Sequence, residues 1–322
     1  MIAAACILLS SAFTCALSAE RHPDGTRSAS VAVGGRTDRL PDGSSAVRGR
    51  AATGDGKYVF FVHNLARYHL PATQMDRGWM NSAALTVYDG ATGRRISTVM
   101  LDDPLLGAAN PWGVAVNEKW IAVTHAGTHE LSLIDRARFF DRLLASREDM
   151  SGDLAFMKAV GRRRISFKGK GPRAVRFRAD GKLEVWLHFA EAKAVVDPES
   201  GQVEEPNLPG GVSAAVARDR VRMGELHFND ATLCYQQWQS CASCHPDGTT
   251  DGLTWDFPFS GGGLGHPEST PDLTKPRNFA ARRNRRDDFH IHLYSASPEV
   301  GAATDAYVRA LAEKGRREGP CK

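Results

Sequence analysis

Long apolar runs are absent from this 322-residue sequence beyond residue 19, so no later segment reads as a membrane span. Charge of one sign is scarce as well. Against 41 lysines and arginines stand 37 aspartates and glutamates, a net charge of +4, and the basic residues gather in two short clusters, Arg162–Arg176 and Lys275–Arg286. That balance excludes a strongly basic nucleic-acid binder. The clusters read as solvated faces, with docking of an acidic redox partner, or arginines reaching a cofactor's carboxylates, as the sharper reading. No methionine follows Met223, which removes thioether ligation of a metal by any later residue. What remains is ordinary: 42% apolar and 24% charged residues, in a chain long enough for two globular domains.

Residues 2–19 predict an export signal. Ile7-Leu8-Leu9 and the small residues up to Ala19 have signal-peptide length and suit cleavage near Ser18 or Ala19. No Lys or Arg precedes the run, so the usual basic head is missing. Ser10, Ser11 and Thr14 interrupt it, which argues against a transmembrane anchor. The expectation is a periplasmic or otherwise exported protein, with no stable membrane insertion after cleavage.

The densest chemical signature is Cys241-Ala-Ser-Cys244-His245. Cys-x-x-Cys-His is the attachment pattern of a c-type haem. On a helical turn, residues three and four apart share a face. Both thiols can therefore add to one porphyrin while His245 reaches the iron as proximal ligand. With 6 cysteines and 11 histidines, chance placement yields roughly 0.004 such pentapeptides, so the pattern is not incidental. Zinc bound by Cys234, Cys241, Cys244 and His245 is the rival. Tetrahedral sites usually pair two ligand clusters from separate turns, which adjacent Cys244 and His245 fit poorly. A redox-active Cys-x-x-Cys pair would want a βαβ context, missing here. One covalent haem c is the expected cofactor. Cys6 and Cys15 leave with the signal, and Cys234 and Cys321 either pair or stay thiols.

Between about residues 45 and 210 the chain repeats itself. Lys57-Tyr-Val-Phe-Phe-Val-His63, Lys119-Trp-Ile-Ala-Val-Thr-His125 and Lys182-Leu-Glu-Val-Trp-Leu-His188 align without gaps, at offsets of 62 and 63 residues. A short apolar strand precedes each (46–52, 112–116, 174–177). A strand ending in Asp89, Asp135 or Asp197 follows, and a fourth runs through 94–99, 164–167 or 201–205. Asp55-Gly56 and Asp180-Gly181 supply hairpin turns. Four short strands per repeat is the β-propeller blade pattern. His63, His125 and His188 end equivalent strands, which is what repeat units do with a polar residue; a ligand set on one face is the alternative.

These blades resemble the periplasmic seven-bladed "YVTN" β-propeller family, and the segments 65–81 and Gly107–Gly113 look like propeller–cytochrome fusions of that group. Three blades do not close a ring. Residues 20–45 add a degenerate blade, or the sheet stack stays open, or another chain completes it as an oligomer.

After Pro209-Gly-Gly211 the pattern becomes helical, over Val212–Leu226 and again around Ala302–Lys314. Gly224-Glu-Leu-His-Phe228, Ser240–Asp247 and Thr250-Asp-Gly252 are similar to the first haem domain of the di-haem cytochrome c peroxidase and methylamine-utilisation maturation family. The likeness implies that Cys241, Cys244 and His245 serve as haem attachment and proximal ligation. The family's second Cys-x-x-Cys-His is absent. The sixth iron position then falls to His266, His290 or His292, or stays open. The expected architecture is mainly β plus α: a signal (1–19), a partial propeller of about three four-stranded blades (20–211) and an all-α cytochrome c-like haem domain (212–322). The expected function is electron transfer through one haem to a redox partner protein, with the propeller as docking or scaffold module. The alternative is a peroxidase-like oxidoreductase with Glu268 or a distal histidine as acid–base group.

Overall fold

The computed structural model describes residues 16–70, 80–146, 149–257, 263–275 and 297–318. Two hairpins lead in, β1 (Glu20–Arg21) with β2 (Arg27–Ser28) and β3 (Ser30–Val33) with β4 (Arg36–Arg39). The first blade follows: β5 (Ser44–Ser45), β6 (Arg50–Ala52), β7 (Tyr58–Ala66), β8 (Asn81–Asp89) and β9 (Arg95–Met100), with β5 and β6 both paired to β7. The second comprises β10 (Pro111–Val116), β11 (Trp120–His125), β12 (Glu130–Asp135) and β13 (Arg163–Ser166). The third comprises β14 (Pro172–Phe177), β15 (Leu183–Leu187), β16 (Ala192–Val196) and β17 (Val203–Glu204). In blades two and three every pairing is antiparallel between sequence neighbours, so each of these sheets is a meander. The inner strands stack on one another, β10 against β6 and β7 on one side and β14 on the other. This is a three-blade β-propeller arc, and the expected repeat boundaries hold to within a few residues.

All nine residues of β7 are buried, because blade one is covered on both faces. Alternation along a strand assigns side chains to opposite faces. Phe60 and Val62 enter the core shared with blade two, while Val59 and Phe61 meet Val31, Val33 and Leu40 of the β3–β4 hairpin. The β3–β4 hairpin thus forms a lid on blade one. Blade three covers only one face: Leu183, Val185 and Leu187 are buried, whereas Glu184 and Trp186 point outward. That face carries charge instead. Glu184 lies 2.8 Å from Arg176 and 3.2 Å from Lys193 across neighbouring strands, the kind of polar finish that discourages edge pairing.

Two helices that the repeat pattern does not show, α1 (Arg136–Ala145) and α2 (Phe156–Ala159), sit between β12 and β13. Asp135 accepts from the Arg138 amide and caps α1. Phe139 and Phe156 close their side of the core.

The helix expected over 212–226 is two: α3 (Ala214–Arg218) and α4 (Arg220–Asn229), broken at Asp219, whose side chain caps α4 by accepting from Val221 and Arg222 amides. The haem-motif turn is α5 (Cys241–Cys244), β18 (Thr254–Trp255) pairs with β19 (Glu268–Ser269), and α6 (Pro298–Glu318) is the last helix. Helices α4 and α6 cross where Gly224 lets their backbones touch. A Cβ there would lie 2.0 Å from the Ala303 carbonyl oxygen. Among the described residues no helix is long and apolar enough to cross a membrane.

Gly224→Ala should therefore destabilise the fold by about 1–3 kcal/mol through overpacking. Gly301→Ala, on α6 where a Cβ meets nothing within 4 Å, should be neutral or slightly stabilising. Denaturant unfolding of both variants checks this; equal stability for the two would refute the close crossing.

Candidate functional site

The Cys241–His245 segment folds as one capped turn. The Ser240 hydroxyl accepts from the Ala242 amide at 3.2 Å, and the Ser243 hydroxyl accepts from the Ser240 amide at 3.0 Å, a reciprocal capping box. The His245 amide closes the turn on the Cys241 carbonyl at 2.9 Å. Beyond it Gly248 has φ +74, and a Cβ there would lie 2.3 Å from Leu311 of α6, so the loop needs glycine for both conformation and space. The His245 ring is buried, 6.4 Å from Phe228, which in turn packs edge-on against Tyr307 at 5.2 Å. Its Nδ1 lies 3.3 Å from the Thr249 carbonyl oxygen. A carbonyl only accepts, so this contact puts a proton on Nδ1, the kind of outer bond that orients a metal-ligating histidine.

Cys244 packs with Ala19, Ala66, Met80, Leu253 and Trp255. Burial, and then Asp251, push its thiol well above the usual range. With no cation beside it the thiol stays protonated; an uncharged thioether suits the apolar surroundings. Among the described residues no three or more His, Cys, Asp or Glu side chains converge as a metal site, so Cys234, Cys241, Cys244 and His245 do not form the zinc tetrad. The donor set and the turn fit a c-type haem.

The blades hold this turn from a position the sequence reading missed. Each inner strand departs from regular pairing near its start: β5 and β6 are separated, and register shifts occur at Pro111–Val114 and Pro172–Val175. Such bulges re-aim side chains. Arg48, Asn110 and Arg173, spaced by the same 62 and 63 residues as the repeats, all project to the helical segment. Arg48 Nη1 lies 2.7 Å from Asp247 Oδ1, Asn110 bonds Ser240 and Ser243, and Arg173 reaches Glu225 of α4 at 3.4 Å. Both guanidiniums rest on the Trp112 ring, at 3.8 and 4.1 Å from its centre. Burial lowers Arg173 to about 10. Glu225, despite its burial, is held down to about 2 by the bond from His188 and by Arg173 and Arg222.

The three repeat histidines are structural. His63 places Nδ1 2.9 Å from the Asn64 carbonyl and Nε2 2.7 Å from the Thr86 hydroxyl. His125 does the same with the Ala108 carbonyl and the Ser132 hydroxyl. Burial lowers both to about 4, so they are neutral. His188 differs: its Nε2 meets Glu225 at 3.0 Å, tying blade three to α4. His266 is exposed, as is Glu268 on β19. His290, His292 and Cys321 lie outside the described residues, and so does most of the Lys275–Arg286 cluster. In the other basic cluster Arg162 and Arg164 are not a solvated face; they pair with Asp103 and Glu130 in the interior.

The segment 16–19 is built into this site. Ala16 donates its amide to Asp247 at 3.0 Å, the Ser18 hydroxyl donates to the Thr250 carbonyl at 2.6 Å, and the Ala19 amide to the Asp251 carbonyl at 2.8 Å. Cleavage near Ser18 or Ala19 would remove these bonds; cleavage before Ala16 would keep them.

No family model matches the chain. It is similar to the hydrazine synthase subunit beta of Kuenenia stuttgartiensis, with 24% identity over 152 residues, 45% of this chain and 39% of that protein. The chain thus spans about two fifths of the length of this relative. Among solved structures, Kuenenia stuttgartiensis hydrazine synthase aligns over 59% of this chain and 58% of its own, with 21% identity and a TM-score of 0.44. Virginiamycin B lyase from Staphylococcus aureus aligns over 61% and 56%, with 16% identity and a TM-score of 0.35.

The Glu225 cluster predicts an acid dependence. Its carboxyl titrates near 2 folded and 4.5 unperturbed, so the stability it contributes is complete above about 4.5 and lost as pH falls towards 2. Unfolding free energies measured across that window should fall less steeply for Glu225→Gln than for the native chain. Parallel pH profiles would contradict the assignment.

Proposed function

We propose that this chain is an exported mono-haem c-type cytochrome in which Cys241 and Cys244 carry the porphyrin through thioethers and His245 is the proximal iron ligand. The observation that carries this reading is the disposition of His245: buried, following a capped Cys-x-x-Cys turn, with Nδ1 directed to the Thr249 carbonyl. When bound, haem c supplies a one-electron Fe(III)/Fe(II) couple. The chain's residues do the positioning. Thr249 orients the imidazole and keeps Nε2 as the ligating atom. Phe228 and Tyr307 limit water on the histidine side, and the crossing of α4 over α6 beside the turn agrees with a small cytochrome c-like domain. The blade arc serves as scaffold for the turn and as docking module for a redox partner protein. Similarity to a protein named as a synthase subunit agrees with work beside a partner.

The peroxidase alternative draws no support from Glu268, which is exposed on a two-stranded sheet. Electron relay is therefore the preferred reading.

The chain produced in a host with active haem-ligation machinery should give a coloured protein with a haem-stained band that survives SDS denaturation. Cys241→Ala and Cys244→Ala should each lose one thioether, and the double variant all covalent haem. A low-spin six-coordinate spectrum unchanged by peroxide is expected; a high-spin signal that shifts with peroxide would favour the enzyme. A colourless wild-type protein would sink the haem reading.

A further inference from the structure

We propose that Asn110 is a positioning residue for the haem-bearing turn: the propeller, rather than the helices alone, sets the geometry in which Cys241, Cys244 and His245 meet the porphyrin. This rests on the haem reading above. The helix α5 has four residues, far too few to be stable by itself in water. Its shape depends on the capping box of Ser240 and Ser243, and one buried carboxamide grips both. Asn110 Nδ2 donates to the Ser240 hydroxyl at 2.7 Å, and Asn110 Oδ1 accepts from the Ser243 hydroxyl at 2.8 Å. The second Nδ2 hydrogen is directed to the Asn229 carbonyl at 3.3 Å, at the end of α4. The carboxamide's two donors and its acceptor are thus all engaged with the helical segment, 119 to 133 residues away in sequence.

The backbone is adapted to this use. Asn110 sits at φ +55, in the left-handed region that asparagine tolerates better than most residues, at the start of the β10 bulge. Two further blade asparagines reach the same turn. Asn64 Nδ2 donates to the Ser243 carbonyl at 3.1 Å, and Asn81 Nδ2 lies 3.5 Å from Cys244 Sγ, so blade one also touches the sulfur that becomes a thioether. Packing alone would be met by any side chain of this size. Bonding both hydroxyls asks in addition for a planar group with two polar atoms, which asparagine supplies here as a paired donor and acceptor.

The test uses the full chain co-produced with haem-ligation machinery. Asn110→Ala should lower the fraction of protein carrying covalent haem by about tenfold, with the strand signal in circular dichroism unchanged. Asn110→Asp keeps oxygen acceptors for both serine hydroxyls and adds a buried negative charge; it should restore attachment but shift the midpoint potential downward, because the charge favours ferric iron. Asn117→Ala, which removes a side chain capping the Lys119 and Trp120 amides in a hairpin turn, should leave haem content and potential as in the native chain. Native haem content and potential in Asn110→Ala would overturn the proposal. Should that variant not accumulate, Ser243→Ala removes one of the two hydroxyls from the opposite side, with the same expected loss and the same overturning result. A native chain that takes up no haem would overturn the haem reading instead, so the two failures are distinguishable.

Discussion

The helical part of this molecule is fastened to the blades by side chains leaving three inner strands at one repeat position. Arg48, Asn110 and Arg173 emerge where each strand departs from regular pairing, and each meets a different piece of the helical segment: the loop after the haem motif, the motif itself and helix α4. A bulge costs ladder hydrogen bonds and usually marks a place where a side chain is redirected. Here it is repeated three times, so the contact surface is a property of the repeat rather than of one loop. The arc does not need to close to perform this task. It needs three consecutive inner strands at the right stagger, with one end covered by the β3–β4 hairpin and the other finished by charge.

The electrostatics of the junction follow from its partial burial. Two arginines sandwich the Trp112 ring, and each has a carboxylate partner from the helical side, Asp247 or Glu225. An unpaired buried charge is strongly unfavourable, whereas a paired and hydrogen-bonded one is tolerated. The junction is therefore selective about orientation: sliding the helices by one turn would separate all of these pairs at once. This is a better account of why charges sit here than any gain in stability, since a buried ion pair often does little better than an apolar replacement.

Much of this was legible in the residues, for identifiable reasons. The blades could be read because Lys57–His63, Lys119–His125 and Lys182–His188 repeat without gaps, and a strand's pattern is local. The haem-motif turn could be read because Cys241, Cys244 and His245 are contiguous. The break at Asp219 was hidden, since apolar spacing continues across it while the cap is a matter of one carboxylate. Helices α1 and α2 were hidden because they interrupt the repeat, and periodicity says nothing about insertions. Asn110 was the hardest to see. Its partners lie 130 and 133 residues away, and asparagine at a strand entrance is unremarkable in a single sequence. The signal was present in the offset that aligns the histidines, which also aligns Arg48, Asn110 and Arg173.

The contacts of Ala16, Ser18 and Ala19 carry a consequence for the order of assembly. They join the start of the described chain to residues some 230 positions later, and closing so long a loop is slow compared with forming each meander. The blades can condense one after another, each from local hairpins. The cysteine-bearing segment gains these contacts only when the two ends of that long loop meet. Until then the loop after Cys244 lacks its bonds to Ala16, Ser18 and Ala19, and the latch that closes it comes from more than 200 positions earlier in the sequence.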